Sequence, residues 1–103
     1  MSSLSTHVLD TARGRPAAGV PVQLLDSSGN SLAEGLTDHD GRVAPVGGDL
    51  PRGTYTLKFD VAVHQPDGFY PEVVVTFTVA EDESHYHVPL LLSPFGYSTY
   101  RGS

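Results

Sequence analysis

Glycine and proline punctuate this chain so often that no segment sustains the 3.6-residue apolar period of an amphipathic helix. Eleven glycines and eight prolines among 103 residues leave only short pieces, and these follow the two-residue rhythm of half-buried strands. In the first, Leu4, Thr6 and Val8 share one face and Ser5, His7 and Leu9 the other. Val20 to Leu25 is a second strand. Asp26-Ser-Ser-Gly-Asn30 is its hairpin turn, since Gly and Asn tolerate positive φ, and Ser31 to Thr37 returns along it. Thr54 to Asp60 turns Tyr55, Leu57 and Phe59 inward, and Glu72 to Ala80 is the most β-prone segment. Arg13 to Gly19 and Pro45 to Gly53 read as loops, and Glu81-Asp-Glu-Ser84 as an acidic, solvated turn. Val61 to Gly68 has room for one helical turn before Pro66 ends it, and His64 there has no partner in view. Seven or eight short strands joined by turns predict an all-β sandwich, with residues 1–103 as one domain.

Charge and cysteine usage exclude several functions. Twelve acidic against six scattered basic residues give a net charge of −6, without the basic face that nucleic-acid phosphates require. No cysteine is present, which rules out a disulfide framework or a thiolate metal site. No apolar run approaches the roughly 20 residues of a membrane span, and the first residues carry no secretion signal. A cytoplasmic protein without membrane partners is the expectation. The chain is also small enough for an oligomer to help it bury surface.

The densest chemistry lies in residues 85–103. Over 84–92, strand parity places Tyr86, Val88, Leu90 and Leu92 on a core face and His85, His87, Pro89 and Leu91 on the other, with the two imidazoles about 7 Å apart. Pro89 lacks a ladder donor and by itself suggests an edge or bulged strand. After the Ser93-Pro94-Phe95-Gly96 turn, Ser98, Tyr100 and Gly102 share one face, and Tyr97, Thr99 and Arg101 the other.

His7, Arg42, His87 and Arg101 are therefore left unexplained by packing. Histidine titrates near neutrality, which suits proton transfer, and an arginine fork binds planar anions. Together they could activate a water beside an anionic substrate. Asp38-His-Asp-Gly-Arg42 opens like a calcium loop but lacks its third oxygen ligand and closing glutamate, so it reads as a tight turn delivering Arg42. Zinc held by His7, His85 and His87 would lack a completing carboxylate or cysteine. No Gly-x-Ser-x-Gly elbow supports a serine nucleophile.

Five stretches carry a family resemblance: Ser5-Thr-His-Val-Leu-Asp10, Thr37-Asp-His-Asp-Gly-Arg42, Phe69-Tyr-Pro-Glu-Val73, His85-Tyr-His-Val-Pro-Leu-Leu-Leu-Ser-Pro94 and Tyr100-Arg-Gly-Ser103. Spread over residues 4–103, they resemble the transthyretin-related 5-hydroxyisourate hydrolases. The resemblance implies a transthyretin-like (prealbumin-like) sandwich of two four-stranded sheets with one short helix, although Val61 to Gly68 is about one helical turn shorter than usual. It implies a homotetramer whose channel is lined by the faces carrying His7, Leu9, His87, Pro89, Leu91, Ser98 and Tyr100. It makes His7, Arg42 and His87 the catalytic set, with Tyr100, Arg101, Gly102 and Ser103 shaping the substrate site, and requires no cofactor or metal. The implied reaction is hydrolytic opening of the 5-hydroxyisourate ring in urate degradation, with either histidine as base. In transthyretin itself the positions of His7, Arg42 and His87 hold other residue types, and the Tyr-Arg-Gly-Ser sequence is absent. A non-enzymatic carrier of an aromatic ligand in the same channel is the alternative, and a structural sandwich module the third reading. Arg42 and Arg101 can make the site locally positive despite the acidic whole.

Overall fold

The computed structural model describes residues 2–80 and 84–103, so the acidic turn at 81–84 lies, Ser84 apart, outside the described residues. Among the described residues nine strands form: β1 (Ser3–Asp10), β2 (Arg15–Pro16), β3 (Pro21–Leu25), β4 (Ser31–Leu36), β5 (Arg42–Val43), β6 (Gly53–Phe59), β7 (Val73–Val79), β8 (His85–Ser93) and β9 (Gly96–Thr99). One sheet has the order β4-β3-β6-β7; the other runs β2-β1-β8-β9 with β5 also paired to β1. The expected two four-stranded sheets are thus one of four and one of five. The extra strand is Arg15–Pro16, inside a segment read as loop: only two residues long, it pairs with Leu9–Asp10, while β5 occupies the same edge beside Thr6 and His7.

Alternation sets the core. Leu4, Thr6 and Val8 of β1, Tyr86, Val88, Leu90 and Leu92 of β8, and Tyr55, Leu57 and Phe59 of β6 are all buried between the sheets. Thr6 meets the cost of burying a hydroxyl by donating to the Val88 carbonyl at 2.6 Å. Residues 61–63 make a single 3-10 turn, the only helical element among the described residues. His64, at its C-terminal end, is not unpartnered: its Nε2 lies 2.7 Å from the buried Asp10 carboxylate. That partner is 54 residues away in sequence, beyond the reach of local pattern reading. No helix among the described residues is long and apolar enough to cross a membrane.

Strands β1 and β8 pair in parallel over eight residues, from Ser3↔His85 to Asp10↔Leu92. Strand β8 has β9 on its other side, so Pro89 sits buried in an interior strand rather than at an edge. The ladder makes room for it. Paired residues run from Ser93↔Gly96 to Leu90↔Thr99, stop at Pro89, and resume as an isolated His87↔Gly102 bridge. The Thr99 hydroxyl donates to the Pro89 carbonyl at 2.7 Å across the gap. The interruption falls where proline has no N–H to offer.

Candidate active site

Three adjacent strands bring the chemistry together on the outer face of the five-stranded sheet. Register sets His7 beside Arg42 across β1 and β5, and Ser5 beside His87 across β1 and β8. Arg42 is delivered by the turn at 38–42. The Asp38 carboxylate accepts the Asp40 and Arg42 amides at 2.9 and 3.0 Å, and these backbone bonds, Arg42's first, hold its carboxyl below the usual value. Gly41 closes the turn at φ 78°, where a Cβ would lie 2.4 Å from the Val8 carbonyl oxygen. Its own carbonyl accepts the Val8 amide at 2.7 Å, which ties the turn to β1. Only glycine fits there.

Ser5, Thr6, Arg42, Ala44, His85, His87 and Ser103 line a pocket of about 200 Å³. His7 flanks it, with Nε2 2.8 Å from the Asp40 carbonyl oxygen. A carbonyl only accepts, so this nitrogen carries the proton and Nδ1 of a neutral His7 keeps its lone pair. The His87 Nδ1 lies 2.8 Å from Ser5 Oγ. The same hydroxyl lies 2.9 Å from His85 Nε2, and His85 Nδ1 lies 2.6 Å from Ser3 Oγ. Burial, then the charges of His7, His85 and Arg42, push the His87 pKa below its ordinary 6.5, against an opposing hydrogen bond to the Ser5 backbone. The shift favours the neutral imidazole, which has a lone pair to offer, over the imidazolium.

The four C-terminal candidates divide. Gly102 donates its amide to the His87 carbonyl at 2.8 Å. A Cβ on Gly102 would stand 2.6 Å from His87 Cδ2, so the imidazole approaches the backbone more closely than a side chain there would allow. Ser103 lines the pocket. Tyr100 and Arg101 do not enter it in this chain; they border a crevice of about 230 Å³ between β7 and β8, and the Arg101 guanidinium lies 4.4 Å from the centre of the Tyr86 ring. Parity had put Arg101 on the face opposite Gly102, and the packing follows parity.

Ring nitrogens of His7, His85 and His87 do not converge as metal ligands. Among the described residues the one such group is Asp38, His39 and Asp40, exposed in the turn and with Asp38 already bonded to amides. A larger groove, about 880 Å³, lies over β3, β4 and β6 on the other sheet and is lined by Glu34, Lys58, Asp60 and Glu72 but no histidine. What sequence reading missed is the bonding of Ser3, Ser5 and His85 to one another and to His87. Parity had placed Ser5 and His85 on outward faces, but the parallel register that joins them is not encoded locally.

Residues 4–102 match the family model described as the HIUase/Transthyretin family. The chain belongs to this family. It is 48% identical to a 5-hydroxyisourate hydrolase of Deinococcus radiodurans, over 97% of this chain and 95% of that one. The structure of the Klebsiella pneumoniae 5-hydroxyisourate hydrolase superimposes with a TM-score of 0.92 at 38% identity, covering all of both chains. Transthyretin from Sparus aurata superimposes with a TM-score of 0.88 at 29% identity, over 96% of this chain and 95% of that one. A 5-hydroxyisourate hydrolase and a transthyretin thus share the sandwich, so the fold by itself does not separate them.

Proposed function

We propose that this chain is a 5-hydroxyisourate hydrolase of urate degradation, opening the six-membered ring to 2-oxo-4-hydroxy-4-carboxy-5-ureidoimidazoline. The observation that carries the reading is that Arg42 and a depressed-pKa His87 line one small pocket, with His7 paired to Arg42 on the neighbouring strand. His87 Nε2 takes a proton from a water that attacks the amide-like C–N carbon, and His7 holds that water through Nδ1. The Arg42 guanidinium binds the planar anion and stabilises the negative charge growing on oxygen. The proton then passes from His87 to the departing ring nitrogen, which restores the base. Ser103 lines the pocket and Gly102 abuts His87, while Tyr100 and Arg101, which border another crevice of this chain, are retained as substrate-site residues on the family resemblance alone. No cofactor or metal enters the scheme.

The same reading takes the protein as a homotetramer whose channel is lined by this outer face, which holds partly exposed His7, Leu9, His87 and Leu91. It takes its location as cytoplasmic, and a cysteine-free chain has no need of an oxidising compartment. The test is the ultraviolet decay of 5-hydroxyisourate made in place by urate oxidase. The wild type accelerates it and His87→Asn does not. If neither does, the channel is a carrier site, to be pursued with aromatic ligands.

A further inference from the structure

Ser5 has one hydroxyl proton and two imidazoles to satisfy. Its Oγ sits 2.8 Å from His87 Nδ1 and 2.9 Å from His85 Nε2, and it can donate to only one of them. If Ser5 donates to His87, the neutral His87 carries its proton on Nε2 and cannot act as a base through that nitrogen. If Ser5 donates to His85, it accepts from His87 Nδ1–H, and the His87 Nε2 lone pair is free for the pocket. In that second arrangement His85 Nδ1–H donates to Ser3 Oγ, 2.6 Å away. The tautomers of two histidines are therefore coupled through one serine.

We propose that Ser5 and His85 are positioning residues: they hold His87 as the Nδ1–H tautomer and relay the proton it acquires to His85. The proposal rests on the hydrolase reading for its second half. As His87 Nε2 takes the proton of the attacking water, Nδ1 gives its proton to Ser5 Oγ, and the Ser5 hydroxyl proton passes to His85 Nε2. One proton enters at His87 and one positive charge appears on His85. When His87 Nε2–H protonates the departing nitrogen, the relay runs backward, and nothing is consumed.

Geometry supplies the reason for such a transfer. His87 is half-buried and faces His7 from β1, Arg42 from β5 and His85 on its own strand, so a lasting imidazolium there is unfavourable. His85 is exposed and pairs at the level of Ser3, one step further along β1 from Arg42 than His87, which pairs at Ser5. Charge moved to His85 meets water and leaves the crowded side of the pocket.

The test combines nitrogen NMR on protein carrying 15N-labelled histidine with steady-state kinetics. In the wild type at neutral pH, His87 shows a protonated Nδ1 and a bare Nε2, the reverse of the free imidazole's preference. Ser5→Ala returns His87 to the Nε2–H tautomer and lowers kcat by on the order of 10-fold or more, with KM little changed. Ser5→Thr, which keeps the hydroxyl, retains both tautomer and rate, and guards against a folding defect in the alanine variant. His85→Gln keeps the protein folded but removes the charge acceptor: kcat falls, and its solvent deuterium dependence reduces from several protons in flight to one. A wild-type His87 already in the Nε2–H form overturns the proposal whatever the activity. So does a change confined to KM, which would make Ser5 a substrate contact. A wild type that does not hydrolyse 5-hydroxyisourate overturns the hydrolase reading and the relay with it, while the tautomer measurement still decides the first half.

Discussion

The outer face of the β1–β8 sheet and the outer face of the β3–β6 sheet come from the same alternation, over inner faces buried alike. On the first, outward polar side chains bond to one another across some 80 residues of sequence: Ser3, Ser5, His85 and His87 form one chain of hydrogen bonds, next to Arg42. On the second, outward residues make isolated, exposed pairs, such as Lys58–Glu72 at 3.1 Å and Thr56–Thr76 at 3.0 Å. The second face carries the larger groove, and the first carries the pocket proposed as the active site. What separates them is whether each polar group's geometry is fixed by a neighbour, since a fixed tautomer and a depressed pKa are what proton transfer requires.

The contrast is broken most directly at His87. His87→Asn should cost about 10²- to 10⁴-fold in turnover while the thermal midpoint stays near that of the wild type, and an active variant would remove the first face's distinction. Gly102→Ala comes next. Its methyl displaces the ring held by Ser5, and activity should fall by on the order of 10²-fold in assays run beside a denaturation curve that barely moves. The acid limb of kcat/KM in the wild type should lie below pH 6.5, because the lowered pKa keeps His87 neutral into more acid solution. His85→Gln removes a charge that contributes to that lowering, so its acid limb should move up.

A smaller effect belongs to the Asp10–His64 pair at the far end of β1. Burial opposes ionisation of Asp10, but hydrogen bonds from His64 and the Arg13 amide, with the charges of both, outweigh it and hold the carboxyl below 3.8. A carboxyl depressed by folding stabilises the protein above its unfolded pKa and loses that contribution as pH falls through the folded value. His64→Ala should therefore lower stability by about 1.5–3 kcal/mol at pH 7, with the gap narrowing well below pH 4 in urea titrations. The smallest effect is expected on the other sheet. Lys58→Ala should change stability by less than about 1 kcal/mol and activity not at all, because its partner is as exposed as it is. Loss of turnover in that variant would mean the second face matters.

Parity alone made most of the fold legible. The inner residues of β1, β6 and β8, the hairpin at 26–30, the turn that presents Arg42 and the one-turn helical segment all follow from local chemistry. Arg101 was legible too, on the face where it now packs against Tyr86, although the family resemblance carried it into the site. Three features were not. The pairing of Arg15–Pro16 is too short to leave a pattern. The place of Pro89 in an interior strand depends on a ladder gap that only the neighbour β9 creates. The links from Ser5 to two histidines, and from His64 to Asp10, depend on which distant residues meet, and alternation fixes a face but not a partner.

The parallel pairing of β1 with β8 also has a consequence for how the molecule comes into being. Ser5 and His87 stand 82 positions apart, so the candidate pocket rests on contacts that span most of the sequence. Closing a loop of that size before any of its rewards are felt is slow, and high contact order delays such folds. On a ribosome, the first strand must wait for its parallel ladder partner until residues 85–92 have emerged. Catalytic competence would then be among the last properties acquired, which makes activity regained after dilution from denaturant a clock for the final step of assembly.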